Sequence, residues 1–253
     1  MTNDTKNIDY AIVTVRNSSS RLPNKAISQI KKNIRAIDIV VERAKKTGLP
    51  IIIATSTDTS DNVFEIIAKE HHVKLFRGSL LNKIKRWHDC FNEFNIENAL
   101  LLDGDDLCHN YNIGKRALNE LKSKSVDMIL NPPDIVTGFF TYAVKRSAIE
   151  KMYNVVSLEN INTDVITRYI EKAKLKVDYV TLEDFERNEN IRMTLDYEED
   201  LMFFRKLYEN IDIVEEAKNI INFLEIHNEI VQINLSRQKD FLENQAKFNN
   251  SIR

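Results

Sequence analysis

The sequence predicts an α/β protein built on a mixed, mainly parallel sheet flanked by helices, with a helical extension at the carboxyl end. Three observations carry that expectation. Short β-branched and apolar runs at residues 10–15, 50–56, 73–76 and 98–102 are separated by stretches whose apolar residues recur every three or four positions, the signature of strands alternating with amphipathic helices. Polar clusters follow directly on two of the runs, at residues 16–25 and 103–106, where the carboxyl ends of parallel strands would lie. The 253 residues can fill the core of one such domain.

Taken in order, Tyr10 to Val15 reads as a buried strand because nothing interrupts its apolar character before Arg16. Ile34, Ile37, Val40, Val41 and Ala44 mark the first helix, ended by Gly48. Residues 50–56 form a second strand, Asp58 to Asp61 start a helix through Val63, Ile66, Ile67 and Ala68, and residues 73–76 close βαβαβ. Ile84, Trp87, Cys90 and Phe91 define the next helix before strand 98–102. A helix at 111–121 and a strand at 126–130 follow, and then Pro132 and Pro133 break the pattern ahead of an extended aromatic segment at 137–144. Helices are expected near 147–153 and 163–172, a strand at 177–182, a short strand at 192–195 entering an acid-capped helix, and further helix beyond residue 210 to about 231. The division expected is a main domain at 1–210 and an extension at 211–253.

A net charge of −2, with 36 basic and 38 acidic residues, lacks the basic footprint of a nucleic-acid binder, so a small substrate is expected. Two cysteines are too few for a disulfide framework and fit a reducing cytoplasm. No apolar run approaches the ~20 residues of a membrane span, and the first residues lack a secretory apolar core. The five histidines have neither the spacing nor the thiolate company of a zinc site. Trp87, Phe139, Phe140 and Tyr142 read as core or as the surface of a homodimer.

The segment Arg16-Asn17-Ser18-Ser19-Ser20-Arg21-Leu22-Pro23-Asn24-Lys25 puts three cations and several hydroxyls behind the first strand, a composition suited to polyphosphate. Taken alone it is equally the composition of a solvated loop. With its preceding strand, this R-x-x-S-x-R-L-P-x-K pattern resembles the amino-terminal signature of the cytidylyltransferases that activate acidic sugars. The likeness is greatest to the spore-coat polysaccharide F-type group, with the ketodeoxyoctonate and acylneuraminate enzymes more distant. Further likenesses are Ala54-Thr55-Ser56 with Asp58 and Asp61, Arg77-Gly78-Ser79, Gly104-Asp105-Asp106, the T-L-D-Y-E-E-D-L run around Asp196, and residues 221–234. Two positions depart from the pattern: Asn24 stands where glycine is common, and Leu107 where proline is expected.

The resemblance implies a Rossmann-like nucleotidyltransferase fold of the GT-A-like kind, CTP as substrate, Mg²⁺ as cofactor and a small acidic acceptor. It places Arg16, Ser18, Arg21, Lys25, Ser56, Arg77, Gly78, Ser79 and Asp103 at the nucleotide, with Arg21 and Lys25 stabilising the departing pyrophosphate. It gives Asp105 and Asp196 to the metal, while Asp200 reads as a helix cap. Asn131, Thr137, Thr163, Asp164 and Arg168 are the candidate acceptor contacts. Two other readings stand beside this one. Asp103-Gly104-Asp105 is also the D-x-D of a glycosyltransferase using a nucleotide sugar, and a non-catalytic nucleotide-binding module would tolerate the two departures.

Overall fold

The computed structural model describes residues 8–19, 21–156, 162–163 and 165–240; of the expected site residues, Asp164 lies outside them. In chain order the elements are β1 (Ile8–Thr14), β2 (Gln29–Lys31), β3 (Ile34–Arg35), α1 (Ala36–Lys45), β4 (Ile51–Ser56), α2 (Val63–Glu70), β5 (Lys74–Gly78), α3 (Lys83–Glu93) and β6 (Ile96–Asp103). There follow α4 (Tyr111–Ser123), β7 (Met128–Leu130), β8 (Tyr142–Lys145), α5 (Arg146–Val156), α6 (Thr167–Lys172), β9 (Val177–Tyr179), α7 (Glu198–Asn210), α8 (Ala217–Ile226) and α9 (Asn228–Val231).

Among the described residues one seven-stranded sheet runs β5-β4-β1-β6-β8-β7-β9, and β2 and β3 pair separately. β5, β4, β1 and β6 are mutually parallel; β8 is antiparallel to both β6 and β7, and β9 returns parallel to β7. The apolar runs are continuous because both faces of the central strands are covered. Side chains alternate between faces along a strand, so Ala11, Val13, Ile53, Leu100 and Leu102 join one apolar cluster with α1, α2, α4, α7 and α8. Tyr10, Ile12, Ile52, Ala99 and Leu101 join a second with α3, α5 and α6.

The chain moves from β1 outward through β4 to β5 and then crosses to lay β6 on the other side of β1. That reversal opens a crevice beyond the carboxyl ends of β1 and β6. The residues where the two strands end, Thr14 and Asp103, are register partners.

Several local differences from the sequence expectation have identifiable causes. Ile34 belongs to the β2–β3 hairpin, turned by Asn33 at φ 60, a backbone state Asn tolerates, and α1 begins only at Ala36. α6 starts at Thr167 instead of 163, because the Thr163 hydroxyl accepts from the Ile84 amide and donates to Asn82. In place of a strand at 192–195, Arg192 makes a single bridge to Thr137. Beyond residue 210, Ile220, Ile221, Leu224, Ile230 and Val231 are buried in the same apolar cluster as β1 and β6.

Candidate active site

Three chain segments meet in the crevice, and backbone hydrogen bonds hold them there. The Gly104 amide donates to the Thr14 carbonyl at 2.9 Å, which ties the acidic loop after β6 to β1. The Leu195 amide donates to the Asp105 carbonyl at 2.9 Å, which ties the same loop to the segment entering α7. Glycine is needed at 104 for close approach, since a Cβ there would lie 2.7 Å from Val15 and 3.1 Å from the Thr14 carbonyl. The result is an open cleft of about 760 Å³ whose walls include Arg16, Ser18, Arg21, Lys25, Asp103, Asp105, Asp106 and Asp196.

Lys25 lines the cleft between two of its acids. Its Nζ donates to Asp105 Oδ2 at 2.5 Å and to Asp196 Oδ1 at 2.9 Å, so carboxylates ninety-one positions apart share one ammonium. Arg21 reaches the same Asp196 oxygen at 2.6 Å and stays 41 % exposed, able to face an entering anion. The turn that aims Lys25 passes through Asn24 at φ 59, so asparagine here holds the left-handed conformation that glycine would supply. Leu107, at the second departure, is fully buried in the core, and its carbonyl accepts from the Tyr208 hydroxyl at 2.7 Å.

The electrostatics follow from burial of like charges around a few cations. Burial would lower the Lys25 pKa, but Asp105 and Asp196 outweigh it and raise it. Burial pushes Asp196 upward, yet Lys25 and Arg21 hold it below the ordinary carboxylate range. Asp105 is raised by burial and by Asp196 and Asp103, against Lys25, and Asp106 is raised well above the ordinary value by burial and by Asp105 and Asp103. Lys25 pairs with Asp105 and Asp196, Arg21 with Asp196, Lys83 with Asp103, and Arg192 with Asp196 and Asp200. One carboxylate oxygen from each of Asp103, Asp105 and Asp106 lies within 4.8 Å of the other two. An all-oxygen donor set of three clustered carboxylates fits a hard divalent cation such as Mg²⁺.

Other expected nucleotide residues stand behind the cleft wall. Ser56 is fully buried and donates to Asp61, and Asp61 also accepts from the Asn17 amide at 2.7 Å. Arg77 donates to the carbonyls of Ser56 and Asp58 at 3.0 and 2.8 Å and pairs with Glu65. Ser79 accepts from the Asn82 amide through its hydroxyl and from Arg86 through its carbonyl, and a Cβ at Gly78 would lie 2.7 Å from the Phe76 ring. Of the candidate acceptor contacts, Asn131 and Thr137 line the cleft, whereas Thr163 is buried beside Asn82 and Arg168 lies on α6 away from it. Among the aromatics, Trp87 and Phe139 are core, while Phe140 and Tyr142 reach the cleft.

Sequence reasoning passed over Lys83, which pairs with Asp103 at 2.7 Å, and Asp106, which accepts from the Thr141 hydroxyl at 3.4 Å. It also passed over Arg192, fully buried, with Nη2 3.2 Å from Asp196 Oδ2. The signal for Asp106 was its place beside Asp105. Lys83 carried none, because K-I-K-R at a helix start reads as a solvated face.

A parallel-sheet switch point whose floor pairs cations with acids, beside a cation- and hydroxyl-bearing loop, is a place to bind a phosphorylated ligand, and in this chain it belongs to a nucleotidyltransferase. The sequence profile described as cytidylyltransferase matches residues 10–250 of this chain. The chain belongs to that cytidylyltransferase family. It is 27 % identical over 239 residues to an uncharacterized protein of Methanocaldococcus jannaschii, covering 92 % of this chain and 97 % of the relative. Its fold is similar to that of a cytidylyltransferase from Leptospira borgpetersenii, with a TM-score of 0.79 and 19 % identity over 89 % of this chain and 97 % of the other. It also resembles a CMP:2-keto-3-deoxy-manno-octonic acid synthetase solved with CTP, at a TM-score of 0.59 and 14 % identity, covering 80 % and 98 % of the two chains.

Proposed function

We propose that the protein is a Mg²⁺-dependent enzyme that transfers CMP from CTP to a small anionic acceptor, an acidic sugar or a phosphate or phosphonate, with release of pyrophosphate. The observation that carries the reading is the Lys25 ammonium held between Asp105 and Asp196 in a cleft that Arg21 also enters. An acceptor oxygen, either a phosphate or phosphonate oxyanion or a sugar hydroxyl that releases its proton to solvent, attacks the α-phosphorus, the bond from that phosphorus to the bridging oxygen breaks, and the electron pair leaves with pyrophosphate. Arg21 and Lys25 neutralise the charge that builds on the leaving group, and Arg16 and Ser18 line the approach. Asp105 and Asp196 would hold Mg²⁺, with Asp103 and Asp106, whose carboxylates cluster with that of Asp105, beside them; Asp196 would turn an oxygen from Lys25 and Arg21 to do so, and the ion when bound would neutralise phosphate oxygens.

Ser56 and Arg77 to Ser79 act on the nucleotide through the loop they brace. Asn131 and Thr137 are the acceptor contacts this reading keeps. A biosynthetic role in surface glycan or a related polymer, a cytoplasmic site of action and a homodimer belong to the same proposal. No described helix is long and apolar enough to cross a membrane.

The test is pyrophosphate release from purified protein with CTP, Mg²⁺ and a panel of acidic sugars, phosphates and phosphonates. Turnover should require CTP and stop on chelation, returning with added Mg²⁺. Turnover with UTP in place of CTP overturns the base assignment, and full activity in excess chelator overturns the metal.

A further inference from the structure

We propose that the segment following α9, through Asn234 and Gln238, is part of the catalytic apparatus: it positions Asp196 and joins it to the Thr137 wall of the cleft. This rests on the reading of Asp196 as a site carboxylate.

The two oxygens of Asp196 are held from different sides. Oδ1 takes Lys25 and Arg21, and Oδ2 takes Arg192. Arg192 is also bound to Asp200, Nε to Oδ1 at 2.9 Å and Nη2 to Oδ2 at 3.1 Å. Asp200 Oδ2 in turn accepts the backbone amides of Asp196 and Tyr197 at 2.8 and 3.0 Å, so it caps α7 and fixes the peptide that carries Asp196. A fully buried Arg–Asp pair tolerates no slack, because each remaining polar atom needs a partner or costs free energy.

The carboxyl-terminal segment supplies those partners. Asn234, 1 % exposed, donates from Nδ2 to Asp200 Oδ1 at 2.8 Å and to the Arg192 carbonyl at 3.1 Å. An amide suits this place, since a second carboxylate would repel Asp200. Gln238 accepts from Arg192 Nη1 at 3.3 Å, donates to Thr137 Oγ1 at 2.9 Å, and itself lines the cleft. Between them Arg237 lies over the Tyr197 ring, 5.1 Å from its centroid, with Arg21 at 5.6 Å from the same ring.

The Thr137 end of the chain of contacts is equally tight. The Met193 amide donates to the Thr137 carbonyl at 2.8 Å, and Gly138, at φ +89, packs so closely that a Cβ would lie 2.2 Å from the Met193 carbonyl. Asp196, Arg192, Gln238 and Thr137 therefore form one continuous chain of contacts, of which Asp196, Gln238 and Thr137 line the cleft. Without Gln238 the Arg192 guanidinium keeps Asp200 through Nε and Nη2 but loses its link through Gln238 to Thr137, so the Nη2 that faces Asp196 Oδ2 is held from the Asp200 side without that tie to the Thr137 wall.

The experiment uses the full chain with Gln238→Met, Gln238→Glu, Asn234→Ala and Asp196→Asn. It measures kcat and KM for CTP, the Mg²⁺ concentration at half-maximal rate, and calorimetric binding of CTP with Mn²⁺ in the absence of acceptor. Gln238→Met, at a half-exposed position, should keep its melting temperature within about 2 °C of wild type. It should raise the half-saturating Mg²⁺ concentration about tenfold, as loss of a residue that orients a metal-binding carboxylate does, and weaken CTP·Mn²⁺ binding in parallel. Gln238→Glu, which keeps an acceptor for Arg192, should recover most of the loss, and Asn234→Ala should match or exceed it. A folded Gln238→Met with wild-type metal dependence and wild-type CTP·Mn²⁺ binding overturns the inference, whatever Asn234→Ala does to folding. An inactive Asp196→Asn beside a wild-type Gln238→Met confines the failure to this chain of contacts, whereas a fully active Asp196→Asn removes the proposed site itself.

Discussion

Replacing Lys25 by Met keeps the aliphatic stem and removes the ammonium from between two acids. The side chain of Lys25 is 13 % exposed, that of Asp196 3 % and that of Asp105 25 %, so neither carboxylate can turn fully to water. At an effective dielectric constant of about 20, each contact near 3 Å is worth roughly 5 kcal/mol of Coulomb energy. Desolvation offsets much of that, and removing one partner of a buried pair costs about 3–5 kcal/mol. The lower end applies, because Asp105, already raised by burial and by Asp196 and Asp103, can take up a proton when its cation is gone. At ~2–4 °C per kcal/mol for a chain of this size, about 3 kcal/mol lowers the melting temperature by roughly 6–12 °C. Calorimetry in metal-free buffer reads that shift, and pyrophosphate release from the still-folded variant at 20 °C should fall by at least about 100-fold. A melting temperature within about 2 °C of wild type would refute the account of Lys25 as the counter-charge of the site.

Asp61→Asn should raise KM for CTP about tenfold and cost about 1.5–3 kcal/mol in urea unfolding, because Asp61 accepts from both Ser56 and the Asn17 amide and so anchors the Arg16–Lys25 loop. Gly138→Ala should cost about 3 kcal/mol or more, from a left-handed backbone plus a clash with the Met193 carbonyl, read as a lower urea midpoint. His71 has its pKa raised by its hydrogen bond to Asp38, against burial and with help from Glu42. A raised pKa means the contribution is complete below the unfolded value near 6.5 and is lost as pH rises through the folded one. Urea midpoints should therefore fall between pH 6 and pH 8.5 in wild type, and His71→Gln should flatten that part of the profile.

The sheet and both clusters at its strand ends were legible because their signals are local. A strand buried on both faces must be apolar throughout, and its end must be polar, so residues 10–25 and 98–106 declare themselves within a few positions. The β2–β3 hairpin escaped because it is short and turns on Asn33, with no glycine to announce it. The start of α6 was misjudged because Thr163 is claimed by Asn82, eighty-one positions earlier.

Which polar residues face the cleft was a different kind of question. Ser56 and Arg77 have the same residue types as Ser18 and Arg21, yet the first pair spends its hydrogen bonds on Asp61, Glu65 and backbone carbonyls while the second lines the cleft. Residue type sets what a side chain can bind; the neighbours that packing delivers set what it does bind. Fold class and the two clusters lay within reach of the amino-acid sequence, because hydrophobic periodicity and turn chemistry act over ten residues. The placement of Lys25 between Asp105 and Asp196, and the support of Asp196 by Arg192, Asn234 and Gln238, arose only in three dimensions. Charge and hydrogen-bond complementarity act over a few ångströms, and only the folded sheet brings residues 25 and 105 to 196, and residue 238 to the Arg192 that holds it, that close.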